Sequence, residues 1–196
     1  MYPDRYAAMK QTSFVIACAM NQYATYHDHY PDGKSSTEVF QKLLDGGYIT
    51  DPSTFYFSMT GKTKPITGQP LKPENVCWDV TSPVDSWAPK ELPLVFSTGY
   101  KVNYVPGGAA VPLVKPYPKY FIEDPRNWRQ RLQNYPPLDD LKPGIVVWYK
   151  SAHRLFMPLT LSISGNSEDS IPNFVPADFD AKGKTYRQLT PDGPLP

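Results

Sequence analysis

Between Asp4 and His27 the chain holds neither proline nor glycine, and Tyr6, Met9, Ser13, Ile16, Met20, Tyr23 and His27 recur at alternating spacings of three and four. That period lines one stripe of a helix, which is expected over about residues 4–29. A second flank, Ala8, Thr12, Val15, Ala19 and Gln22, is also uncharged, and Lys10 is the only charge between Ala7 and Tyr26. A helix neutral on most sides needs cover on most sides, from a closely packed sheet or from neighbouring subunits. Pro31 cannot extend it, and Asp32-Gly33 supplies turn chemistry directly behind. The exit therefore falls in Tyr26-His27-Asp28-His29-Tyr30-Pro31-Asp32-Gly33.

The next apolar set, Val39, Phe40, Leu43 and Leu44, has the same period. Ser35 with Glu38 forms a capping box before it and Gly46 is a natural C-cap behind it, so a short helix is predicted at about 36–45. Beyond it the period changes to that of strands. Phe55-Tyr56-Phe57 follows an Asp51-Pro52 turn, and further strands are expected at Asn75–Val80, Leu92–Ser97 and Tyr100–Val105, the last two as a hairpin turning at Ser97-Thr98-Gly99. Asn127–Gln133 reads as a short helix. Ile145–Tyr149 is the most hydrophobic strand, expected to turn at Lys150–His153 and pair with Leu155-Phe156-Met157. Residues 58–73 and 106–118 are rich in proline and glycine and read as loops. The organisation predicted is one α+β domain over 1–161, with its sheet built from strands between 55 and 157, and a loop-rich C-terminal tail over 162–196. No internal repeat is evident.

Composition reinforces this picture. The 196 residues include 23 prolines and 14 tyrosines, with 40% hydrophobic and 20% charged positions and a formal net charge of +1. Proline is excluded from helix interiors and central strands while aromatics favour sheets, so long loops around a modest sheet are the expected solution. The balanced charge and the lack of a basic stripe interleaved with aromatics argue against nucleic acid, the dilute cluster Arg126, Arg129 and Arg131 notwithstanding. The apolar run Phe14–Met20 is too short for a membrane span. Val15-Ile16-Ala17-Cys18 mimics the box before a lipidated cysteine, but the run is also short for a signal segment. Cys18 and Cys77 permit one disulfide or two buried thiols and leave the redox compartment open.

Candidate chemistry is sparse. His27 and His29 with Asp28 and Asp32 resemble half of a binuclear metal motif, yet residues two apart on a helix face different ways and His153 is the only other histidine. Helix-end histidines beside the negative end of the dipole are the simpler account. Ser151 near His153 reads as a turn, Asp139-Asp140 as solvated carboxylates, and Gly107-Gly108 has no following helix to cradle a phosphate. Calcium is the one metal with candidate donors, at Asn166–Asp169 and at Asp178-Phe179-Asp180, although neither has the spacing of a helix-loop-helix site. No catalytic, cofactor-binding or metal residues are assigned, and the chain is expected not to be an enzyme.

Three stretches together carry a resemblance. NQYATYHDHYPDG at the helix exit, SSTEVFQKLLDGGYITDPSTFYF and the late GIVVWYKSAHRLF resemble the soluble part of type II secretion pseudopilin-like, prepilin-type (type IV pilin-like) proteins of the planctomycete and verrucomicrobial kind. Tyr23-Ala24, Asp28 and Pro31 match that family's "YA-x-D-x-D-G-x-x-P" turn, with His29 where the second aspartate usually stands. Leu43-Leu44, Tyr48, Asp51-Pro52 and Phe55 match its "LxPYLxDPxxFxCP" step, with Ser58 and Met59 replacing the cysteine-proline. Val146, Trp148-Tyr149 and His153 resemble its closing "NVxFxDGHVxF" hairpin, from which Ser151-Ala152 departs. The resemblance covers most of Met9–Phe57 and Ile145–Phe156, and the region between them matches only in overall character.

It implies a pilin-like fold, with a long N-terminal helix packed on a small antiparallel sheet, and a non-catalytic structural role in a filament or pseudopilus. It also implies partners of the same kind met through the helix, and a position on the periplasmic or extracellular side of the envelope. The full-length form would be inner-membrane anchored before assembly, by a leader and hydrophobic half-helix that would precede Tyr2. Within such a subunit Ile16, Met20 and Tyr23 are expected to pack on the sheet, with Phe14, Val15 and Ala8 toward neighbours. The alternative reading is an extracellular binding module in which Trp78, Trp87, Tyr117, Tyr120 and Trp128 form a carbohydrate platform.

Overall fold

The computed structural model describes residues 5–57, 59, 61–90, 92–108, 111–112, 145–150, 160–163, 175 and 177–195. The expected helix at Asn127–Gln133 and the loop candidates between 113 and 144 lie outside them.

Helix α1 spans Arg5–His27. Met9, Ser13, Ile16, Ala17, Ala19 and Met20 are buried, while Tyr23 is half-buried at the rim. Ser13, a polar residue on the buried stripe, turns its hydroxyl back to donate to Met9 O at 2.6 Å, which satisfies it without leaving the helix. The helix stops at His27, the last residue of its periodic stripe and two short of the expected boundary at about 29. Asp28 has φ +61°, the left-handed conformation that closes helices, and its N–H donates to Ala24 O at 3.0 Å. Pro31 therefore lies beyond the end of the helix and does not cause it.

Helix α2, Ser36–Asp45, forms where predicted. Ser35 Oγ accepts from Glu38 N at 3.2 Å, and the Glu38 carboxylate reaches back to Lys34 N at 2.9 Å, one residue earlier than the usual box. Gly46 caps the C-terminal end by donating to Lys42 O, and Gly47 takes the left-handed turn at φ +70°. Phe55-Tyr56-Phe57, expected as a strand, is instead the end of a 3-10 turn, Pro52–Phe55, and the coil after it. Pro52 presets the turn's backbone and Asp51 caps it by accepting from Ser53 N at 2.9 Å, so local chemistry outweighs the alternating aromatics.

The sheet comprises β1 (Trp78–Ser82), β2 (Pro93–Ser97), β5 (Ile145–Tyr149), β6 (Thr160–Ile163), β7 (Arg187–Thr190) and β8 (Gly193–Pro194), in the order β6-β5-β2-β1-β7-β8. All its pairings are antiparallel. A separate two-stranded ribbon joins β3 (Tyr100–Lys101) to β4 (Val111–Pro112). The architecture is thus α+β.

Three strand expectations are corrected. The hairpin of Leu92–Ser97 with Tyr100–Val105 does not form, because β2 is already paired on both edges by β1 and β5. The chain leaves the sheet at Gly99, φ +98°, to make β3. The partner found for β5 is β6, with Ile145 opposite Ile163 and Trp148 opposite Thr160; Leu155-Phe156-Met157, expected in that place, lie outside the described residues. The segment 162–196, expected as a loop-rich tail, supplies β7, which pairs with β1 in mid-sheet and buries Leu189, while Val175, Phe179 and Tyr186 join the core. Its short strands carry too few apolar residues to show a period, so the boundary at 161 does not divide the fold.

Pleating sorts the central strands into two faces. Trp78, Val80, Val95 and Leu189 share one face; Asp79, Thr81, Phe96 and Gln188 share the other. Toward the helical side, Phe57 meets the Trp78 ring edge-on at 5.2 Å and Phe40 stacks on Phe55 at 4.7 Å. α1 packs against β5, β2 and the 3-10 turn. On the opposite face Tyr104 OH lies 2.7 Å from Thr81 Oγ1, which sets the loop after β3 over the sheet.

Candidate functional site

The helix exit and the loop after β1 meet along a short backbone contact. His29 pairs with Asp85 in an isolated bridge and Tyr30 N donates to Val84 O at 2.9 Å. Tyr30 is buried, and its hydroxyl donates to Asn21 Oδ1 at 2.6 Å, tying the exit back to α1. Burial pushes its pKa up to about 12. A half-open cleft of about 320 Å³ lies here, lined by His29, Tyr30, Asp32, Val84, Asp85 and Lys184 among others. Asp85 and Lys184 form an ion pair at its wall, so the two opposite charges answer each other and do not present one sign to a ligand.

The two histidines sit in an aromatic cluster at the surface. The His27 ring stacks on Tyr23 at 4.1 Å and its Nε2 is 3.2 Å from Tyr48 OH. His29 Nδ1 donates to Tyr30 O at 2.9 Å, and the two imidazole centroids are 6.2 Å apart. Asp32 faces Lys42, which donates 2.7 Å to its backbone oxygen. Among the described residues no group of three or more His, Cys, Asp or Glu side chains is placed to hold a metal.

The aromatic platform is not assembled as drawn from the sequence. Trp78 is fully buried in the core, whereas Trp87 is 82% exposed. A core tryptophan cannot offer its face to a sugar. Tyr117, Tyr120 and Trp128 lie outside the described residues, as do Arg126, Arg129, Arg131, Asp139, Asp140, Ser151, His153 and Asn166–Asp169. Asp180 accepts from Lys182 N at 2.8 Å in a tight turn, with Phe179 buried beside it. Gly108 is required by packing: a Cβ there would stand 2.2 Å from Asn103 O. Cys18, half-buried, and Cys77, buried, are not joined in a disulfide. Burial raises the Cys18 pKa. Among the described residues, no helix is long and apolar enough to cross a membrane.

Sequence reasoning passed over one polar cluster. Asp79, fully buried in β1, accepts from Gln188 Nε2 at 2.6 Å, and its second oxygen has no hydrogen-bond partner. Burial dominates, pushing the Asp79 pKa up to about 7 against the opposing pull of Gln188, Thr98 and Lys62. Burial likewise raises the pKa of Tyr104. The signal was available: a carboxylate inside the apolar run Val76-Cys77-Trp78-Asp79-Val80 needs a partner from elsewhere in the chain. Comparison with protein-family models, curated proteins and solved structures found no match to this chain.

Proposed function

We propose that the chain is a non-catalytic, pilin-like structural subunit, the globular part of a filament or pseudopilus protein that works on the periplasmic or extracellular side of the envelope. The observation that carries this reading is the division of α1. One side, Met9, Ser13, Ile16, Ala17 and Met20, is buried on the sheet. The other, Gln11, Thr12, Val15, Cys18 and Gln22, is exposed or half-buried and carries no charge. An outer helix face that is uncharged from Gln11 to Gln22 is suited to burial against further copies and unusual for a helix meant only for water. The sequence resemblance at the helix exit and at Asp51-Pro52 supports the same reading.

The test is proximity between copies. In the source cell, the full gene product carrying Val15→Cys and Cys18→Ser is oxidised and its adducts are resolved by size. A disulfide-linked dimer is expected, since the one accessible thiol of each copy can form a single bond; exclusively monomeric protein at native expression would remove the reading.

A further inference from the structure

We propose that Asp79 and Gln188 form a proton-operated latch, closed while the Asp79 carboxyl is neutral and loosened when it ionises, that holds β7 and the β3 segment against the central strand of the sheet. The latch does not depend on the assembly role proposed above.

The geometry is that of a hub. Gln188 Nε2 donates to Asp79 Oδ2 and to Tyr100 O, both at 2.6 Å, while Gln188 Oε1 accepts from Val102 N at 2.9 Å. One amide in β7 therefore reaches both β1 and the chain around β3, 86 to 109 residues away along the sequence. Its anchor is a side chain with no exposure to solvent and one oxygen without a hydrogen-bond partner. An ionised carboxylate has room for about four hydrogen bonds, and leaving most of them unmade in a dry site is far costlier than burying a neutral acid.

The groups facing Asp79 do not cancel that cost. Lys62, from the loop before β1, favours the charged form but is itself held by Pro73 O at 2.9 Å. Thr98, from the turn after β2, also favours it, and Asp192, from the β7–β8 turn, opposes it. Tyr104, from the loop over the sheet, is bonded to Thr81 at 2.7 Å, and the Asp79 charge would hold its proton more tightly. Burial outweighs these, raising the Asp79 pKa to about 7, within reach of ordinary changes of pH. Since the folded form then holds its proton more tightly than the unfolded chain, ionisation favours whichever conformations bring water to Asp79. Opening the β3 segment or the β7 edge is the local way to do so.

Hydrogen exchange resolved to single amides tests this on the intact chain. After correction for intrinsic rates, the Val102 amide and those of β7 are expected to lose protection about tenfold or more between about pH 5 and about pH 8.5, with β1–β2 amides losing less. Asp79→Asn, which keeps shape and an acceptor for Gln188, is expected to make Val102 protection independent of pH. Unchanged wild-type protection across that range, or the same loss in Asp79→Asn, overturns the latch. Should Asp79→Asn fail to fold, the carboxyl carbon of Asp79 is titrated by NMR in the wild type. A midpoint that coincides with the loss of Val102 protection upholds the proposal, and one in the ordinary carboxylate range overturns it.

Discussion

Ser36 Oγ donates a 2.7 Å hydrogen bond to the backbone oxygen of Trp78, joining the first residue of α2 to the first residue of β1 across 42 positions of sequence. Both residues are fully buried, so the bond is shielded from water. Thr37, the next residue, donates 2.8 Å to Pro191 O in the β7–β8 turn. The start of α2 is thus fastened to both ends of the described chain's sheet-forming sequence. Ser36→Ala is expected to cost about 1–2 kcal/mol by leaving that buried contact unmade. Ser35→Ala, which removes the N-cap, should cost about 1 kcal/mol. Urea denaturation checks both, with the midpoint falling and the slope unchanged.

Phe40 and Phe55, both fully buried, stack on each other in the helical side of the core. Phe40→Ala should destabilise by about 3–5 kcal/mol, the transfer and cavity cost of removing a fully buried phenyl ring. Val15→Ala, on the outer flank of α1, should stay within about 0.5 kcal/mol in the isolated chain. A large loss at Val15 in a proven monomer would mean that the flank is already covered, contrary to the assembly reading.

Asp79 sets a pH dependence with a definite sign. Its folded pKa is raised by burial to about 7, well above the ordinary carboxylate range. The stability it contributes is therefore complete below the unfolded value and is lost as pH rises through the folded one. Asp79→Asn should flatten that decline while costing stability at the acid end. The measurement is the denaturation midpoint of both proteins across this window; parallel curves would contradict the assignment.

Gly47 separates backbone strain from crowding. A Cβ there would meet nothing within 4 Å, yet φ is +70°. Gly47→Ala should therefore cost about 1 kcal/mol from conformation alone. Thermal denaturation compared with Gly68→Ala, which has the same open space at φ +81°, checks whether the two costs agree.

The thiols should differ in access. In the native protein Cys18, half-buried, is expected to react with a thiol reagent slowly and Cys77 only on unfolding, because the reactive thiolate is disfavoured by burial. Two equivalents should titrate in denaturant without reductant. Fewer than two would show that the thiols have been lost to oxidation.

What the sequence by itself determined was local. The spacing of Met9, Ile16 and Met20 specifies a helix, and Ser35, Glu38 and Gly46 mark the second helix residue by residue, because caps and periods act within a few positions. The apolar runs Leu92–Ser97 and Ile145–Tyr149 likewise declare themselves as strands. Which strand lies beside which was decided only in the tertiary structure. The partner of β2 is fixed by competition for its two edges, and Tyr100 loses that competition to β1 and β5. Leu189 and Gln188 enter the sheet although their short strand has no legible period, since pairing with β1 supplies the ladder that local propensity does not. The same holds for the helix exit, where His27 and His29 are drawn beside Tyr23, Tyr48 and Asp85 by packing. Asp79 shows the limit most plainly: the sequence marks a carboxylate in an apolar strand, but its partner lies 109 residues away, and only the folded chain brings Gln188 to it.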